Sequence, residues 1–303
     1  MSVLRQTTRP SVGLLSLREL TAHVSDQASP GEDDLEVSDE LFDDDAWDDY
    51  EEDDRDVDDD LESPFRQRPP IETARALQLL AGGDISVIGR MPWSSNATFL
   101  VDIEHDGLLA QGIYKPHKGE RPLWDFPSGL YRREAAAFDL SEQMGWHLVP
   151  PTIVRDGPLG DGSLQLFIPA DFQQHYFTIR DAGHHVDVLQ QLCVLDIVSN
   201  NTDRKGGHVL LDPESRIWAI DNGLSFHAEF KLRTVIWDFG GTAIPRPILD
   251  VVVQLLDDGL APALAEKLDA FERDAVLARS RAIVKEGRFP IDHTGRRYPR
   301  PLV

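Results

Sequence analysis

The chain has 303 residues, with 53 Asp or Glu against 30 Lys or Arg and a net charge of -23. One cysteine, Cys193, excludes an intrachain disulfide and a cysteine-based zinc site. No apolar run approaches the ~20 residues that span a bilayer. A field this negative should repel nucleic acid and anionic lipid. The charge is uneven, however. Residues 31–62 hold 20 Asp/Glu and one Arg, whereas the other 271 residues carry 33 acids and 29 bases. The first twenty residues are broken by Arg18 and Glu19 and offer no small-residue cleavage site. No secretory signal is expected, and the expected compartment is the cytoplasm.

Residues 1–70 read as a disordered acidic tail. Their like charges repel, and scattered residues such as Leu41, Phe42, Trp47 and Tyr50 cannot offset the ordering entropy. The same aromatics would serve as anchors in a docking or autoinhibitory arm. Such an arm could contact a partner or the locally basic residues 281–303, which hold six Lys/Arg against two acids. Pro69 and Pro70 mark the boundary.

The folded part begins near Ile71. Glu72–Leu80 predicts a short helix ended by Gly82 and Gly83. Ile85–Ile88 and Ala97–Ile103 predict strands around a polar loop, and Asp106-Gly107 predicts a hairpin into a third strand ending at Tyr114-Lys115-Pro116. Leu130–Gly145 is Ala-rich and predicts a helix. Val149–Val154 and Leu164–Pro169 predict two strands around the Gly-rich turn DGPLGDG.

Val186–Ser199 predicts a helix with Val188, Leu189, Leu192, Leu195 and Val198 on one face. A polar loop, Asn200–His208, leads into short strands at Val209–Leu211 and Ile217–Ile220. Farther on, Leu264, Leu268, Phe271, Ala275, Ala278 and Ala282 predict one helical stripe between Pro262 and Gly287. The expected fold class is α+β. A β-rich lobe (71–170) is followed by a helical lobe (171–303), and a cleft lies between them.

The chemistry concentrates in LDIVSNNTDRKGGHVLL and SRIWAIDNGLSF. The loop exposes Asp203, and the second strand of the ribbon delivers Asp221. One carboxylate can accept a proton from an attacking hydroxyl; the other can hold a cation that bridges phosphates. Phosphoryl transfer needs both functions. Lys115 can neutralise a phosphate, and Glu134 on the next helix can hold that lysine. The loop Pro92-Trp93-Ser94-Ser95-Asn96 offers hydroxyls and backbone N–H groups, but it lacks the glycines of a usual phosphate loop. No Walker motif and no G-x-S-x-G element is present. Each residue also has a plainer reading. Asp203 could pair with Arg204, Lys115 could be a surface lysine, Glu134 could be solvated, and Cys193 could be a small core residue.

In this order the motifs resemble the phosphatidylinositol 3-/4-kinase-like branch of the protein-kinase-like fold. Type II phosphatidylinositol 4-kinases, HipA-like kinases and small actinobacterial members are similar. REAAAFDLSEQMGWHLVPPTIV resembles that branch's helix and following strand, NTDRKGGH its catalytic loop, and AIDNGLSF its metal-binding strand end. The resemblance covers about residues 83–227. It implies a bilobal kinase that uses ATP and Mg²⁺. Lys115 would meet nucleotide phosphates with Glu134 as its partner, and Ser94, Ser95 and Asn96 would lie over them. Asp203 would be the catalytic base, Arg204 would steady the loop, and Asp221 and His208 would sit at the metal.

The chain departs from that pattern in two places. His208 stands where an Asn or an acid is usual, which suggests Mn²⁺, a single metal or reduced activity. Asn222 follows Asp221 where Phe is usual. Trp237-Asp238-Phe239-Gly240 is a second D-F-G-like string, and Asp221 is preferred because it closes the ribbon. A soluble acceptor, protein or small polyol, is expected over a lipid. A pseudokinase scaffold and a nucleotidyl transferase remain open alternatives.

Overall fold

A computed structural model describes residues 67–91, 94 and 96–303. The acidic segment read as a tail, the loop residues Pro92 and Trp93, and the candidate Ser95 lie outside the described residues.

Helix α1 (Thr73–Gly82) opens where the Glu72 carboxylate accepts the Arg75 N–H at 3.2 Å. Gly83 turns the chain directly into β1 (Asp84–Arg90). A Cβ there would meet Ile103 Cγ2 at 2.5 Å, so only glycine lets helix and sheet come this close. Strand β2 (Phe99–His105) pairs antiparallel with β1 and with β3 (Leu108–Pro116). Asp106 (φ 48°) and Gly107 (φ 73°) form the expected two-residue hairpin turn; both are left-handed, as a right-twisted ribbon requires.

Helix α2 (Leu130–Gln143) follows. Its N-terminus is held from outside, because the Glu120 carboxylate accepts both the Gly129 and Tyr131 N–H groups at 2.8 Å. The sheet is completed by β4 (Thr152–Gly157) and β5 (Gly160–Leu166), in the order β1-β2-β3-β5-β4. The Gly-rich run is ladder and not the broad turn expected from sequence. Arg155 pairs with Gly162 and Asp156 with Asp161, leaving only Pro158-Leu159 to turn. Gly162 is in the strand for a steric reason. A Cβ there would meet the Lys115 carbonyl oxygen on β3 at 2.6 Å.

The rest is mainly helical: α3 (Tyr176–Ala182), α4 (Val186–Ser199), α5 (Arg246–Asp258), α6 (Pro262–Ala265) and α7 (Ala270–Glu286). A short ribbon, β6 (Val209–Leu211) with β7 (Ile217–Ala219), is inserted after α4. Helix α4 is buried on nearly all sides through its last three turns and forms the centre of a core that also takes residues from α2, α5 and α7. It ends at Asn200, whose φ of 57° is left-handed. Asparagine serves here because its side chain donates to the His227 and Glu229 carbonyls and accepts from the Lys231 N–H.

The single C-terminal stripe expected from Pro262 to Gly287 is not what forms. The helix stops after Ala265 and restarts at Asp269, which caps Glu272 N–H at 2.8 Å while Glu272 returns a bond to Asp269 N–H. The restart rotates the face. Glu272, Val276, Arg279, Ser280 and Ile283 are buried, and Phe271 is 77% exposed. The architecture is α+β, an antiparallel sheet with packed helices. Among the described residues no helix is long and apolar enough to cross a membrane.

Candidate active site

Strand β3, helix α2, the loop after α4 and the end of the β6–β7 ribbon converge on one cleft of about 180 Å³. Ser94, Asn96, Lys115, Glu134, Asp203, His208 and Asp221 all line it. Two of these residues are already engaged on the sheet side. Ser94 Oγ lies 2.7 Å from Thr98 Oγ1, and Asn96 Oδ1 accepts the Arg121 N–H at 2.9 Å. The loop is therefore pinned at both described positions.

Lys115 is the centre of the arrangement. Its Nζ donates to Glu134 Oε1, and to Asp221 Oδ1 at 2.8 Å. Burial works against the ammonium, but the Asp221 and Glu134 carboxylates outweigh it and hold its pKa above the ordinary value. Conversely, the Lys115 ammonium holds the Asp221 carboxyl well below the usual range. Glu134 is buried and uses its other oxygen to accept the Asn222 N–H at 2.8 Å. A Cβ at Gly223 would lie 3.2 Å from Glu134 Oε1, so a small residue keeps this junction closed. Asp221 itself has φ 57°, an uncommon backbone state for a non-glycine residue.

The loop is held from beneath by Arg204. That residue is fully buried and does not reach the cleft, so it is a positioning residue. Its guanidinium donates to Asp196 at 3.1 Å, to the Ile220 carbonyl at 2.7 Å and to Asn222 Oδ1. Asp196 also accepts from Thr234 Oγ1 at 3.0 Å. Asn222 thus links the loop below Asp203 to Glu134 on α2. A phenylalanine in its place would keep the backbone bond to Glu134 but lose the side-chain bond to Arg204 and the one that the amide donates to the Ala219 carbonyl at 3.1 Å.

Asp203 is half-buried. Its N–H donates to Asn201 Oδ1 at 2.9 Å, and its carboxylate pairs with Lys205 Nζ at 3.2 Å. Burial raises its pKa, and the lysine opposes that shift. His208 closes the loop with Nε2 3.2 Å from Asp221 Oδ2. Burial pushes the imidazole down to about 4, against the pull of Asp221, so the ring is neutral at neutral pH.

Asp238, the alternative D-F-G aspartate, is elsewhere. It accepts from the Tyr176 hydroxyl, and from Arg180 Nη1 at 3.0 Å, and it does not line the cleft. Sequence reasoning missed Asp196, Glu120, Asn201 and Lys205. Asp196 did leave a signal. It is a lone acid in the otherwise apolar end of α4, and such a group needs a buried partner.

No family model matches the sequence. The structure is similar, at a TM-score of 0.40 and 10% identity, to a Helicobacter pylori proinflammatory kinase, CtkA, covering 69% of this chain and 94% of that one. It is also similar to hydra Fam20 with sugar, at a TM-score of 0.41 and 12% identity over 73% of this chain and 90% of that one. The sequence is 38% identical over 260 residues to protein Rv2133c of Mycobacterium tuberculosis, covering 74% of this chain and 94% of the relative. The chain belongs to the family of that mycobacterial protein.

Proposed function

We propose that this protein is an ATP-dependent phosphotransferase of the phosphatidylinositol 3-/4-kinase-like type. It would move the γ-phosphoryl group to a hydroxyl of a soluble acceptor, a protein or a small polyol. Residues 71–170 form the nucleotide-binding lobe in this reading, and residues 171–303 carry the catalytic loop. The observation that supports it is one cleft holding a lysine tied to two carboxylates, with a third carboxylate, Asp203, on the loop beside them.

The acceptor O–H gives its proton to Asp203. Its oxygen bonds to the γ-phosphorus as the bond from that phosphorus to the β–γ bridging oxygen breaks, and ADP leaves. Lys115 faces the phosphates, and Glu134 keeps it in place. Asp221, half-exposed, is the oxygen donor suited to Mg²⁺ or Mn²⁺, and a cation of this kind typically takes its other ligands from phosphates and water. Such a cation, when bound, neutralises phosphate charge. Most of the rate would come from positioning and charge neutralisation.

The test is labelling with γ- and α-labelled ATP in Mg²⁺ and in Mn²⁺, for wild type and Asp203→Ala. Transfer from the γ-position, lost in the variant, is the expected result. Full transfer by Asp203→Ala would sink the mechanism. Transfer from the α-position would mean nucleotidyl transfer. Bound nucleotide without transfer would favour a scaffold role, the reading that an imidazole at position 208 supports.

The pH profile carries a second expectation. Asp203 must be ionised to accept a proton, and burial raises its pKa. Turnover should therefore fall on acidification through a midpoint above that of an ordinary aspartate, near 3.9. Lys205→Ala removes the opposing charge and should move that midpoint to higher pH. A midpoint unmoved in Lys205→Ala would assign the limb to another group.

A further inference from the structure

His208 occupies a position at which the resemblance implies a metal ligand. A neutral imidazole can serve there in two exclusive ways. If its proton is on Nδ1, the Nε2 lone pair is free for a cation. If its proton is on Nε2, that nitrogen is a hydrogen-bond donor and cannot ligate. Which of the two holds is set by what the other nitrogen meets.

Nδ1 lies 3.4 Å from the backbone N–H of Lys205, a group that only donates. A proton on Nδ1 would be directed at another proton. Nδ1 therefore keeps its lone pair, and the ring proton belongs on Nε2. That nitrogen faces Asp221 Oδ2, an acceptor, at 3.2 Å. Turning the ring by half a revolution would put carbon at both contacts. Little room is left for other arrangements, since the side chain is only 14% exposed. The backbone adds a second tie: the Ile220 N–H donates to the His208 carbonyl at 3.0 Å, one residue before Asp221.

We infer that His208 is a positioning residue and not a metal ligand: its Nε2–H side faces Asp221 Oδ2 in a 3.2 Å electrostatic contact while Lys115 hydrogen-bonds Oδ1. The pairing has a purpose, because Asp221 sits in a left-handed backbone state and its carboxylate must be aimed from both sides. A carboxylate has about four lone-pair sites. With two used, it still has room for one cation brought by the nucleotide. The chain then supplies Asp221 alone to that cation, and this second half rests on the phosphotransferase reading.

Full-length protein labelled with ¹⁵N-histidine tests the first half without nucleotide, with the His208 signals assigned by their loss in His208→Gln. Long-range ¹H–¹⁵N correlation should show Nε2 protonated and Nδ1 bare. A proton on Nδ1 overturns the inference. Paramagnetic resonance of Mn²⁺ with a non-hydrolysable ATP analogue tests the second half. One bound Mn²⁺ per chain is expected in wild type, His208→Ala and His208→Gln alike. Loss of the donor in His208→Ala should weaken its affinity about tenfold, and His208→Gln, which keeps a side-chain N–H donor, should restore part of that. Two Mn²⁺ per chain in wild type, falling to one in both variants, would make His208 a ligand and overturn the inference. No binding of nucleotide at all would instead reject the phosphotransferase reading, while the ring proton is still read independently.

Discussion

Arg204→Ala is expected to lower the folding free energy by about 3–5 kcal/mol, the usual cost of breaking a buried ion pair by removing one partner. Asp196 and Arg204 are both fully buried, so the remaining carboxylate would be left without water or a counter-charge. Asn222 Oδ1 and the Ile220 carbonyl would lose their donors in the same step. Stabilities of whole domains are about 5–15 kcal/mol, so a large part of the total is at stake. The neighbouring Asp203→Ala is the control. Its side chain is partly exposed and, among the described residues, pairs with Lys205 at the cleft edge, so that substitution should cost under about 1 kcal/mol. Urea unfolding of the two variants checks the contrast. Equal midpoints would mean that the loop is not held through Arg204. Arg204→Lys keeps the charge but not the planar fork, and it should remain well below wild type.

The second large effect is on turnover. Lys115→Ala is expected to lower kcat by about 10²–10³-fold, the usual loss when one preorganised donor to a charged transition state is removed. Two consequences add up. The phosphates lose their cation, and the Glu134 and Asp221 carboxylates lose the ammonium that both of them share. Lys115→Arg should not rescue, because a guanidinium is bulkier and holds its donors in one fixed plane, whereas the compact ammonium turns three donors toward two carboxylates and a phosphate. Glu134→Gln should be milder, since an amide oxygen can still accept from Asn222 N–H. Single-turnover measurements at saturating ATP separate this loss from weaker binding. A Lys115→Ala enzyme within threefold of wild type would remove the lysine from the chemistry.

Much of this was legible in the residues. The hairpin at Asp106-Gly107, helix α4 and the ribbon of Val209–Leu211 with Ile217–Ile220 form with nearly the bounds their residues predict, since each is set by local signals: left-handed turn residues, 3.6-residue periodicity and short apolar runs. The candidate carboxylates and the lysine were legible for a similar reason. Lys115, Asp203 and Asp221 sit near strand ends and in a polar loop, where a charge stands out, whereas Glu134 lies buried on α2.

Other features depend on distance in space and left weaker traces. The Gly-rich run between β4 and β5 reads as a turn until β3 is seen to pass within 2.6 Å of where a Gly162 Cβ would be. The C-terminal stripe reads as one helix because a periodicity count does not register a capping pair, and Asp269 with Glu272 restarts the helix on a new face.

The sequence by itself determined the class of fold, the order of the strands with helices α1, α2 and α4, and the identity of Lys115, Glu134, Asp203, His208 and Asp221 at the cleft, because patterning and turn chemistry act over a few residues. Only the tertiary structure decided that Asn222 joins Arg204 to Glu134, that Asp196 lies beneath the loop, and which nitrogen of His208 faces Asp221. Those outcomes follow from hydrogen-bond partners 8, 18 and 88 residues apart in the chain, and burial forces such groups to be satisfied by whatever the fold brings near.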